Sequence, residues 1–120
     1  DHAPHSIDDK EKDIKHAPCG MVALESAFGL VHKELKKEKF DIKSILDLFI
    51  KNPSNILKIP SNSIKVGELA ELNIIDSHLS WILKKKHIKS KSLNSAVIGN
   101  ELVGKVLVTI NKGFILQKNK

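Results

Sequence analysis

The 120-residue sequence contains no arginine; all twenty basic residues are lysine. Arginine forks are the usual means of gripping phosphates and base edges, so the net charge of +6 is a poor argument for nucleic-acid binding. The lysines are scattered along the whole chain among many Ile and Asn, which fits AT-rich codon usage better than a binding patch. Tyrosine is absent, and four Phe and one Trp give no stacking platform for single strands. The single cysteine, Cys19, excludes an intrachain disulfide, and nothing suggests a secreted scaffold. No apolar run approaches the roughly 20 residues that a transmembrane helix needs. The expectation is a cytoplasmic protein that engages neither nucleic acid nor membrane.

What is present fits a folded chain of one-domain size, with 41% hydrophobic and 28% charged residues. Residues 1–20 follow neither regular period and alternate in charge, as a surface loop or lid does. From Met21 the spacing turns helical, with Met21, Leu24, Phe28, Val31 and Leu35 on one face and Gly20 as the boundary. Gly29 within this run marks close packing. Lys33–Lys39 reads as a solvated helix end. A second helix is predicted over 42–51, capped by Asp41, with Ile42, Ile45, Leu46, Phe49 and Ile50 buried. Asn52-Pro53 ends it, and Pro53 opens a short third helix to Leu57.

After Pro60 the pattern becomes β. Strands are predicted over 71–76, 81–83 and 105–110, with 84–100 as a polar connection. Asn111-Lys112-Gly113 reads as a tight turn into a returning arm, 114–117. Neither half looks self-sufficient: the helices have nothing to cover, and the strands leave an open edge.

The densest chemistry is in Asp1-His2-Ala3-Pro4-His5. A carboxylate and an imidazole four residues apart across a proline are aimed with little freedom. Such a carboxylate can ligate a metal and take a proton from metal-bound water. By itself such a string is more often a capped turn with solvated histidines. Ala17-Pro18-Cys19-Gly20 precedes a helix, so the amides of Cys19 and Gly20 suit an anionic or carbonyl oxygen, or simply form a small-residue helix entry. His16, His32, His78 and His87 have no ligand-spaced partner and read as surface residues.

Taken in order, the motifs resemble a dihydroorotase. DHAPH, a charged loop, APCG and a helix beginning MVALESAFGL are similar to that family's last active-site segment. Asn52-Pro53-Ser54-Asn55-Ile56-Leu57 resembles its NPA(R/K)I(L/F) segment, and Gly67–Asp76 resembles GxxADLVIFD. Ser90-Lys91-Ser92-Leu93-Asn94-Ser95 resembles SKSRNTP, and Leu102–Val106 resembles LxGKV. Each motif is weak and the ordered series is strong.

The resemblance implies an α/β fold: the C-terminal part of an amidohydrolase (β/α)8 barrel followed by strands of a small satellite β domain. Residues 1–59 become the last active-site loop and terminal barrel helices, and 60–120 the C-terminal part of the satellite domain. It implies zinc, one or two ions, with most ligands outside this chain, and reversible hydrolysis of the dihydroorotate ring to N-carbamoyl aspartate. Asp1 is then a metal ligand and the catalytic acid/base. His5 takes the substrate carboxylate, and the amides of Cys19 and Gly20 take substrate oxygen. His5 also separates dihydroorotases from hydantoinases and allantoinases, which resemble this segment but generally lack that histidine. His2 is assigned only a structural role.

Three residues depart from the family pattern: Cys19 replaces a phenylalanine, Leu93 an arginine, and Glu71 the acid of ADL. The family's HxH pair, further histidines, bridging lysine and substrate arginine are not found in these residues, and one carboxylate cannot hold zinc. The expectation is therefore a C-terminal portion that is inactive alone and works with an N-terminal remainder. A homodimer and a complex with aspartate carbamoyltransferase are compatible with it. The competing reading is a non-catalytic dihydroorotase-like subunit that scaffolds aspartate carbamoyltransferase.

Overall fold

Three local signals set the helices. Ser6 opens α1 (Ile7–Lys10): its Oγ accepts from Asp9 N at 3.1 Å and donates to the Asp9 carboxylate at 2.7 Å. This one-turn helix interrupts what the sequence suggests is continuous loop. Asp41 caps α3 (Ile42–Phe49), accepting from Ser44 N at 2.7 Å as expected. Between them lies α2 (Ala27–Lys37), and after them α4 (Lys51–Leu57), with Pro53 in its first turn where no N–H is missed. The computed structural model describes residues 2–60 and 63–118.

β1 (Leu72–Ile82), β2 (Glu101–Asn111) and β3 (Phe114–Lys118) form an antiparallel sheet in the order β1-β2-β3. The expected strands over 71–76 and 81–83 are one strand with an interruption. Register shifts between Asp76 and Ser80, where Asp76 Oδ1 accepts from the amides of His78 and Leu79 at 2.9 and 3.1 Å. That carboxylate satisfies the backbone groups the bulge frees from the ladder, so pairing resumes at Ser80. The β2–β3 turn is as expected: Lys112 and Gly113 have φ of 49° and 80° between the paired Asn111 and Phe114. Two left-handed central residues match the strand twist.

α2 lies on β2. It begins at Ala27, six residues after the periodicity suggests, and its inward face differs from the predicted one. Val22, Ser26, Gly29 and His32 are buried, while Leu24 is 71% exposed. The reason is the closeness of the two backbones: a Cβ on Gly29 would stand 3.0 Å from both Gly104 O and Leu102 Cβ. His32, expected at the surface, is 3% exposed because its Nδ1 meets Val103 O at 3.0 Å and its ring stacks on Phe28 at 5.5 Å. His87 is partly covered, edge-on to Trp81, whereas His16 and His78 are exposed as expected.

The core is Leu83, Val97 and Leu102, with Met21, Leu30, Trp81 and Ile98 packed on it. Of the five residues expected to be buried on α3, only Ile45 is; Ile42, Phe49 and Ile50 are largely exposed. Ile56 and Leu57 of α4, Ile74 of β1 and Phe114 of β3 are exposed as well. The radius of gyration is 16.3 Å, against about 14 Å for a compact domain of this length. This much exposed apolar surface has the character of interface.

Candidate functional site

The segment around His5 is fixed from three directions. Ala3 N donates to Met21 O at 2.8 Å, bringing residues 2–5 beside residues 20–24. His2 Nδ1 accepts from the amides of Ala23 and Leu24 at 3.2 and 3.3 Å. It therefore satisfies donors ahead of α2 as a cap would, in keeping with a structural role. His5 Nε2 is 3.0 Å from Cys19 O. That bond ties the two ends of the 5–19 loop together and orients the imidazole.

The loop is closed from inside as well. Lys10, at the end of α1, donates to Pro18 O at 2.7 Å and Gly20 O at 3.2 Å. Gly20 itself has φ of 98°, a conformation that glycine adopts without strain. The Asp9 carboxyl is held below the usual carboxylate range chiefly by its hydrogen bond from Lys12, then by that from Ser6. Asp13 is lowered in the same way by His16. Both carboxylates are exposed and steady the loop surface only modestly.

The third direction is the 84–100 connection. Ser92 Oγ donates to His5 O, and Asn94 Nδ2 donates to both Ala3 O and His5 O at 3.2 Å. Val22 N donates to Asn94 O at 2.8 Å, and Glu25 Oε1 accepts from the amides of Lys89 and Ser90 at 2.7 and 3.1 Å. Sequence reasoning gave Ser92, Asn94, Glu25 and Lys10 no site role. The available signal was the run of small polar residues in Ser90–Ser95, whose resemblance to a family motif had no function attached.

The structure thus brings His5, Cys19 and Gly20 together. Asp1 lies outside the described residues. Among those residues, the amides of Cys19 and Gly20 donate to no protein acceptor, and His5 Nδ1 makes no hydrogen bond. The two amide donors left open on one small loop suit an anionic or carbonyl oxygen. The described residues do not hold a metal by themselves. Among the described residues no three His, Cys, Asp or Glu side chains converge, and His2 and His5 each have a ring nitrogen committed to backbone. The 560 Å³ cavity lies elsewhere, between the start of α2 and the sheet, lined by Glu25, Phe28, Trp81 and Lys105 among others. No helix is long and apolar enough to cross a membrane among the described residues.

The overall arrangement matches a solved structure of D-hydantoinase with a TM-score of 0.78 over 95% of this chain and 25% of that one, at 15% identity. The chain thus has the fold of the corresponding quarter of that D-hydantoinase chain, made here of helices and antiparallel strands. No family model matches the chain. It is similar along its length to dihydroorotases: 35% identical over 119 residues to that of Sulfurihydrogenibium sp. and 38% over 120 to that of Caldicellulosiruptor saccharolyticus. It is 36% identical over 121 residues to that of Clostridium acetobutylicum. These alignments take in 99–100% of this chain and 28% of each relative. Along its whole length the chain is thus similar to part of a dihydroorotase.

Proposed function

We propose that this chain is the C-terminal portion of a dihydroorotase and that it acts with an N-terminal remainder in the cytoplasm. The reaction is the reversible hydrolysis of the cyclic amide of dihydroorotate to N-carbamoyl aspartate, a step of pyrimidine biosynthesis. Water adds to the ring carbonyl, the C–N bond breaks, and the nitrogen leaves with a proton. Residues 1–59 form the last active-site loop and terminal barrel helices, and 60–120 contribute to the satellite β domain.

In this reading Asp1 moves the proton from the attacking water to the leaving nitrogen. His5, in its doubly protonated form, donates Nε2–H to Cys19 O and Nδ1–H to the substrate carboxylate. The amides of Cys19 and Gly20 take substrate oxygen. Zinc, when bound chiefly by residues outside this chain and by Asp1, supplies Lewis acidity and an acidified water. The observation that carries the reading is the single loop on which an oriented imidazole and two open amides meet. The exposed apolar faces of α3 and α4 support the need for a remainder.

The test is ring opening by the chain assembled with its remainder. Asp1→Ala is expected to lower kcat by about 10³-fold, within the range of a lost general acid/base. His5→Ala is expected to raise KM by about 10- to 100-fold, the worth of a charge-assisted hydrogen bond. Full turnover by Asp1→Ala would exclude the assignment.

A further inference from the structure

We infer that Ser92 and Asn94 are positioning residues that set substrate affinity by holding His5, an assignment that rests on the role proposed for His5 above. The carbonyls of Ala3 and His5 flank Pro4 and both accept from the one Asn94 amide at 3.2 Å. Pro4 has no N–H and a fixed φ. With both neighbouring carbonyls pinned, the segment has little freedom left to reorient. His5 O also receives the hydroxyl of Ser92, which is 8% exposed. The backbone of His5 is therefore fixed by Ser92 and Asn94 and its ring by Cys19 O.

The strap that carries these two donors is itself anchored. Asn94 O accepts from Val22 N, and Asn94 N donates to Ser92 Oγ at 3.1 Å. Upstream, the Lys89 and Ser90 amides end on Glu25 Oε1. Ala3, Met21, Val22 and Asn94 close a ring through Ala3 N–Met21 O, Val22 N–Asn94 O and Asn94 Nδ2–Ala3 O. Removing one donor leaves a shielded carbonyl short of a partner and lets His5 sample orientations that miss the carboxylate. Precise holding of a contact residue is what its supporting hydrogen bonds provide.

The experiment measures KM and kcat for dihydroorotate in the assembled protein. Ser92→Ala, Asn94→Asp and Ser92→Thr are each made alone and combined with His5→Ala. Asn94→Asp keeps the shape and loses the N–H donors. Ser92→Ala and Asn94→Asp are expected to raise KM about tenfold with kcat within about threefold. Ser92→Thr, which keeps the hydroxyl, restores KM. In the His5→Ala background neither substitution raises KM further, because the contact they serve is gone.

Equal KM increases in both backgrounds, or a loss confined to kcat, would overturn the positioning role while leaving His5 in place. An unchanged KM in His5→Ala alone would instead remove the assignment of His5, and the positioning role with it. If Ser92→Ala melts early, Ser92→Thr against Asn94→Asp decides the matter.

Discussion

His32 Nδ1 lies 3.0 Å from the carbonyl oxygen of Val103, joining the buried face of α2 to the backbone of β2 across 71 residues of chain. The same ring lies parallel to Phe28, with 9° between the planes, and Phe28 meets Phe49 edge-on at 5.9 Å. One histidine thus connects the sheet, α2 and α3.

His32→Ala is expected to destabilise the assembled protein by about 2–4 kcal/mol, through a cavity at a buried ring and a carbonyl deprived of its partner. Urea unfolding measures it. A change below about 0.5 kcal/mol, the range of ordinary surface substitutions, would show that the contact does not matter to the fold.

Gly104 faces that ring from the strand side. Its φ is 89°, and an added Cβ would sit 2.8 Å from Phe28 Cε1 and 3.0 Å from His32 Nδ1. Gly104→Ala is therefore expected to cost about 2–4 kcal/mol, combining backbone strain with overpacking. Gly29→Ala meets backbone and Cβ at 3.0 Å but gains helix propensity of about 1 kcal/mol, so its loss is the smaller. Thermal melting of the two variants side by side checks the order, and the reverse order would contradict it.

His87 gives stability a pH dependence. Its pKa is lowered, first by burial and then by Lys105, Lys86, Lys84 and Lys89. Its Nδ1 accepts from Lys84 N at 3.1 Å, which requires the neutral ring. The folded state therefore binds this proton less tightly than the unfolded one. The stabilisation is complete above the usual imidazole range, about 6.5, and is lost as pH falls through it towards the lower folded value. Unfolding at pH 5 and pH 8 is expected to show a smaller pH difference for His87→Gln than for the parent. The same difference in both would disprove the link. The exposed carboxylates of Asp9, Asp13 and Asp41, all lowered, act in a separate window below about pH 4, where their contribution is lost on acidification.

Much of the fold was legible wherever the cause is local. Asp41 ahead of an apolar-periodic run became the cap of α3, and Asn111-Lys112-Gly113 became the hairpin turn. Gly29 was legible as a point of close approach, though not what approaches it. Ser6 and Asp9 form a capping pair that passed unnoticed because the helix it starts is one turn long. The gap between two predicted strands is a bulge, which the Asp76 carboxylate stitches together. Of the site, the ordered motifs marked His5, Cys19 and Gly20, while the donors that fix His5 lie 87 and 89 residues further on.

The sequence by itself determined where chains of apolar residues want cover, where helices are capped and turns left-handed, and which loop carries imidazole and open amides. These follow from side-chain chemistry acting within a few residues. Only the tertiary structure decided that a strap of serine and asparagine holds His5, and that Gly29 and His32 form the buried face of α2. A polar side chain is buried only where a partner meets it. Here that partner is backbone from the other half of the chain, and no local pattern records it.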